Sequence, residues 1–330
     1  MAHFGLRALV SAATVLALWA CDARSASGPP RLVLERSIAL AGVSGRIDHL
    51  ALDPARGRLF VAELGEGGVE AVDLASGRSL GRIGGLKEPQ GLGYVPASDE
   101  LAVATGGDGM LRFYRAADLR LLGSLRLGND ADDVRVDPSG GRVLVGYGHA
   151  LAVIDPARRA LVRSIPLPAH PEGFEAEGGR AFINLPDAGG IAVVDLDSGR
   201  ELARWPNPGQ RFNFPLALDS QGGRVAVVYR LPARLVLFDA ASGKVEQQAD
   251  TCGDADDAFL DQRRARLYVV CGAGAVDVFE RSAAGYSRAS RVATRAGART
   301  GLFSPKLDRL YVAARARGRD SAAVLVYQPN

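Results

Sequence analysis

The chain has 330 residues, 47% hydrophobic and 23% charged, which is enough apolar material for a large core and excludes a disordered polymer. Lysine and arginine exceed aspartate and glutamate by only 3, a field too weak to argue for nucleic acid or an anionic membrane surface as a partner. With 40 glycines, 2 methionines and no long amphipathic helical period, the composition favours many short strands joined by turns.

The first element in chain order is a targeting segment. Arg7 supplies a positive start, and Leu9 to Ala20 is an apolar run too short to span a bilayer but suited to a signal peptide. Small residues follow at Ala23, Ser25, Ala26 and Ser27, so residues 1–27 are expected to be removed on export to the periplasm or beyond. A second processing route stays open, because Leu18-Trp19-Ala20-Cys21 resembles a lipoprotein site that would lipidate Cys21. His3 falls in this leader, and no other segment reads as membrane-spanning.

Residues 28–330 begin with a lone strand, Arg31 to Arg36, followed by one recurring phrase. The phrase is an apolar strand, an Asp/Pro/Gly turn, an arginine and a second apolar strand. It reads Leu50-Ala51-Leu52-Asp53-Pro54 with Arg58-Leu59-Phe60-Val61, then Val134-Arg135-Val136-Asp137-Pro138 with Arg142-Val143-Leu144-Val145. Further copies centre on Asp219 and Asp261, and weaker ones on Val95, Glu177 and Ser304. The seven turn positions 53, 95, 137, 177, 219, 261 and 304 are spaced by 42, 42, 40, 42, 42 and 43 residues.

A third strand follows each pair and ends in turns such as Asp73-Leu74-Ala75-Ser76-Gly77, which invite a fourth. Four antiparallel strands in a unit of about 42 residues make a propeller blade. The expected fold is therefore all-β, a single seven-bladed β-propeller. Its last unit stops at Val324 to Tyr327, so the lone N-terminal strand should complete the last blade and cover its edge. Cys252 and Cys271 flank the hairpin of one unit, and in an oxidising compartment a disulfide between them is expected, against two buried thiols.

The blade phrase resembles the YVTN-type, WD40-like repeats of the YncE-like bacterial propellers and is similar to those of surface-layer and lactonase-type propellers. The resemblance runs through Arg46-Ile47-Asp48-His49-Leu50, Glu88-Pro89-Gln90-Gly91 and Asp254-Ala255-Asp256-Asp257. It implies the fold and leaves the chemistry open.

In a propeller the loops entering the inner strands form one rim, where ligands bind. Aligned by turn residue, the equivalent positions read Asp48, Gln90, Asp132, Glu172, Phe214, Asp256 and Arg299, six of the seven polar or charged. The next positions include His49, Asp133 and Asp257, and His170 precedes Glu172 by two. Asp48, His49, Asp132, Glu172 and Asp256 are candidate ligands for a divalent metal ion, with the imidazole favouring a transition metal. Such a centre would activate water against a lactone or ester. Arg299 would alternatively pair with an anionic ligand.

The competing reading is scaffolding, since Asp-Ala-Asp-Asp occurs twice, at 130–133 and 254–257, and aspartates at strand starts often bond their own loop backbone. His149 reads as a surface loop residue. The chain has no His-Glu-x-x-His, P-loop or Cys-x-x-Cys-His, and no complete catalytic signature is read in it. The expectation is a monomeric binding or interaction propeller for a small molecule, ion or protein segment, with a metal-assisted lactonase-type hydrolase or lyase as the alternative.

Overall fold

The computed structural model describes Met1, residues 30–137 and residues 141–330. The expected signal peptide, the alternative at Cys21 and the turn residue Pro138 lie outside the described residues.

The second apolar stretch of a unit has no polar face. Leu59, Phe60, Val61 and Ala62 are all buried, as are Leu101, Ala102, Val103 and Ala104. A strand buried on both faces must lie in a sheet covered on both sides, so the units have to stack on one another. The fourth stretch differs: Ser79–Ile83 buries only Ile83 and leaves the rest in or near water.

The described residues accordingly form seven four-stranded antiparallel sheets, with one short 3-10 turn at Leu64–Glu66. The first strand of each sheet is the innermost: Leu50–Asp53, Pro89–Val95, Ala131–Val136, Phe174–Glu177, Arg211–Asp219, Ala255–Asp261 and Gly301–Ser304. Each inner strand ends at its expected turn position or one residue before it. Successive inner strands touch, and Gly301–Ser304 returns to Leu50–Asp53, so the ring is closed. We number the blades one to seven from Leu50. The strand Leu32–Ala39 pairs antiparallel with Ala323–Pro329, from Leu32 opposite Pro329 to Ala39 opposite Ala323, as the outermost strand of blade seven. The seven-bladed propeller is closed by both ends of the chain.

Its core is not one body but seven apolar layers, one between each pair of neighbouring blades. Phe60, Ala62 and Val69 of blade one meet Leu92, Leu101 and Tyr114 of blade two, and Phe182 and Trp205 of blade four meet Val225, Val227 and Phe238 of blade five. Each fully buried Val, Leu or Phe contributes about 1.5–3 kcal/mol, so every blade depends on both neighbours.

The arginine of the phrase ties these layers together. Arg58 donates to Asp53 from Nε and Nη2 at 3.1 and 2.8 Å, and crosses to blade two at Asp99 (2.9 Å) and the Ala116 carbonyl (2.6 Å). Arg142 likewise joins Asp137 to Asp197 of blade four. In the Asp-x-x-Ser-Gly turns, Asp73 accepts from the backbone and hydroxyl of Ser76 at 2.6 and 3.0 Å, and Gly77 takes the left-handed φ of +70° that glycine adopts freely.

Cys252 and Cys271 form a disulfide, with Cα atoms 5.9 Å apart. The antiparallel pairing of Ala255–Asp261 with Arg266–Cys271 brings the two ends of that hairpin together. Among the described residues no helix is long and apolar enough to cross a membrane.

Candidate functional site

Two features of the inner strands set the geometry of the channel mouth. The first is a β-bulge where the ring residues stand: register shifts fall between Pro89 and Leu92, Ala131 and Val134, Asn213 and Leu216, and Ala255 and Asp257. A bulge breaks the strict alternation of a strand, so consecutive residues such as Asp132 and Asp133 both turn toward the channel. The second is close approach between blades. A Cβ on Gly91 would lie 1.9 Å from the Asp132 carbonyl oxygen, so only glycine lets blades two and three converge there.

The mouth encloses a cavity of about 240 Å³. Asp48, His49, Gln90, Asp132, His170, Glu172, Asp256 and Arg299 all line it, eight of the ten residues expected from the repeat alignment. The other two, Asp133 and Asp257, lie one level deeper in a narrow throat shared with His49, Asp132, Glu172 and Asp256. Arg46, Asp130, Phe214 and Arg230 complete the mouth.

Charges are distributed unevenly around it. On blades five, six, seven and one the carboxylates are paired. Asp256 takes Arg299 Nε at 2.8 Å and the Arg230 guanidinium, Asp254 takes Arg299 and Arg230 at 3.3 and 3.5 Å, and Asp48 takes Arg46 at 2.8 Å. Arg230 also donates to the Ala255 carbonyl at 2.8 Å and lies 3.7 Å above the Phe214 ring, a cation–π contact that fixes its plane. On blades three and four the pattern stops. Asp132 and Glu172 make no side-chain hydrogen bond and no ion pair among the described residues, and the buried Asp132 Oδ1 and Asp133 Oδ2 have no hydrogen-bond partner.

This imbalance moves the protons. Burial is the main cause that pushes the Glu172 carboxyl up to about 7, reinforced by Asp256, Asp133 and Asp130 against Arg230. Burial also raises Asp256 to about 6, with Asp48 and Asp257 adding to it while Arg230 and Arg299 oppose. Asp132 is held well above the carboxylate range by burial and then by Asp48, Glu172 and Asp133, with His49 opposing. Burial works against the charge on His49, yet Asp257, Asp133 and Asp48 overcome it and keep the imidazole protonated well above its ordinary value. Its Nδ1 lies 3.6 Å from Asp257 and its Nε2 3.9 Å from Asp48.

The candidate cation ligands Asp48, His49, Asp132, Glu172 and Asp256 share this mouth, but no group of three or more His, Cys, Asp and Glu among the described residues is arranged to hold a metal ion. Asp48 and Asp256 are spent on arginines, and His49 is engaged with Asp257 and Asp48. Scaffolding explains part of the duplicated motif. Asp130 and Asp254 both take left-handed φ angles (52° and 58°), as do Glu88 and Phe212 at the same blade position, and Asp257 accepts the Gly301 N–H at 2.8 Å. Asp132 and Asp256 accept no such backbone bond. His170 binds the Gly148 carbonyl at 3.0 Å and lies 3.8 Å from Asp130, while His149 is exposed in its turn.

Sequence reasoning missed Arg230, Arg135 and Glu175. Arg135 sits in the channel below the throat, bonded to Asp133 and, at 3.2 Å, to Glu175. Its signal was present: the same repeat position holds Ala51, Gly93, Ala217, Phe259 and Leu302 elsewhere. Past this pair the channel opens into a second, mostly apolar mouth of about 390 Å³, lined by Leu52, Tyr94, Val136, Phe259 and Leu302.

No known family profile matches the chain, and no curated protein matches its sequence. Solved structures do resemble it. One, described as the hydrazine synthase of Kuenenia stuttgartiensis, superposes with a TM-score of 0.73 at 18% identity, covering 87% of this chain and 96% of that one. Another, the RRP9 WD40 repeats, gives 0.75 at 12% identity, covering 89% and 97%. At these identities the likeness establishes the propeller fold and nothing about chemistry.

Proposed function

We propose that this protein is an exported, YncE-like propeller that holds a small ligand, ion or partner segment at the polar mouth of its channel. One observation carries the reading: charged side chains from nearly every blade converge on a single cavity of about 240 Å³, where a merely structural channel needs only small or apolar residues. The resemblance of the blade phrase supports the YncE-like assignment, and the cystine Cys252–Cys271 fits an oxidising compartment. A ring closed on itself, with four strands in every blade, acts naturally as a monomer.

The metal-assisted lactonase reading has less support, because the acidic residues it would use are divided between arginine pairs and two separate blades. The test is an unbiased small-molecule screen by thermal shift on the purified protein, repeated on Asp132→Ala and Asp256→Ala. Loss of a hit with unchanged melting places the ligand at this mouth. Hits that shift wild type and both variants equally place it elsewhere and remove the proposal.

A further inference from the structure

We propose that the polar mouth is selective for organic cations, taking a ligand whose primary ammonium group enters between Asp132 and Glu172. This deepens the reading of the mouth as a ligand site and rests on it. The asymmetry of the pairing is the first support. The other mouth carboxylates are engaged, Asp48 and Asp256 by arginines and Asp130 by His170 and Gln90, whereas the side chains of Asp132 and Glu172, on neighbouring blades, face the cavity with no hydrogen bond or ion pair among the described residues.

The second support is independent of acidity at the rim. Asp133 is only 3% exposed and bonds Arg135 through one carboxylate oxygen, yet its other oxygen, Oδ2, has no donor in the throat it shares with Asp132 and Glu172, where Asp132 Oδ1 is likewise without a partner. A buried acceptor without a donor is costly, and evolved interiors avoid it unless something else supplies the hydrogen bond. An ammonium group offers three N–H donors to converging carboxylate oxygens and needs no preformed coordination shell. A metal ion would require several oxygens within about 2.0–2.6 Å of one point, and no such group exists among the described residues. An anion would meet unpaired carboxylates on blades three and four. The raised affinity of Glu172 for a proton fits, since the proton takes the place of the missing cation.

The experiment is calorimetric titration of the purified protein at neutral pH with butylamine and with free lysine, using calcium chloride and glutarate as comparators. Glu172→Gln and Asp132→Asn keep the side-chain shapes and remove only the charge. We expect both amines to bind, to release protons in buffers of differing ionisation enthalpy, and to weaken by about tenfold or more in each variant. The cation inference is overturned if neither amine binds at millimolar concentration, or if amines bind wild type and variants alike. If calcium or glutarate binds instead and the same substitutions abolish it, the mouth remains a ligand site and only the preference for an organic cation fails.

Discussion

Glu172 is the residue at which the electrostatics of the mouth become measurable. Its carboxyl is raised from an ordinary 4.5 to about 7, chiefly by burial. Between those values the folded chain therefore holds more of this proton than the unfolded chain does, and stability must fall as pH rises through the window. Glu172→Gln removes that penalty. It should leave the melting temperature nearly unchanged at acidic pH and stabilise the protein by about 2 kcal/mol above neutral pH, after discounting for partial solvent access. Denaturant curves at several pH values check this, and a pH-independent difference would contradict the burial argument. His49 gives the opposite titration. Asp257, Asp133 and Asp48 outweigh burial and hold its charge, so nitrogen NMR should find the imidazolium still present above neutral pH. The ring positions themselves were readable, because repeats of near-equal length put equivalent residues at one height. Arg230 was not: it lies at the far end of the second strand of blade five and reaches the mouth only by stacking on Phe214. Nor could spacing show which carboxylates an arginine neutralises, since that depends on side-chain reach across blades.

At the scale of elements, the repeated Asp-to-Arg phrase was legible as a hairpin but not as a clamp between sheets. The structure shows why an arginine recurs there. Asp53 is fully buried, at 0% exposure, and Arg58 satisfies it while crossing to Asp99 and the Ala116 carbonyl of the next blade. Arg58→Ala should cost about 3–5 kcal/mol, because it strands a buried carboxylate. Arg56→Ala, whose side chain is 56% exposed though it also contacts Asp53 and Asp99, should cost under about 1 kcal/mol. Equal losses in urea unfolding would show that burial is not what makes the clamp matter. The cystine was legible for a similar reason, since antiparallel strands bring their ends together whatever their sequence. Closing a loop with a sequence separation of 19, it should contribute about 3 kcal/mol, seen as a fall in melting temperature on reduction that vanishes in a Cys252→Ser, Cys271→Ser variant. The bulges at the ring positions left no comparable trace, because the chain carries no residue type that forces one.

For the whole molecule, the period of the repeat dictates both blade number and closure, because sheets apolar on both faces cannot stop stacking until the first meets the last. That requirement gives Leu32–Ala39 its importance. Leu32 and Ile38 are 2% and 3% exposed, and the strand occupies the entire free edge of Ala323–Pro329. Ile38 also packs with Leu59 and Val61 of blade one and with Tyr311 and Val324 of blade seven, so the strand serves the layer that seals the ring. Removing residues 30–39 would expose a flat, apolar strand edge, the kind of surface that templates association between chains. The truncated protein should melt earlier and elute as oligomers on size exclusion. A synthetic peptide spanning residues 30–40, added in trans, should restore the monomer and most of the melting temperature, because the missing strand supplies backbone hydrogen bonds and buried side chains without needing a covalent link. Retention of full stability by the truncated chain alone would mean that the other six interfaces hold the ring shut unaided. Aggregation that the peptide cannot reverse would mean that the strand is needed during folding as well as afterwards.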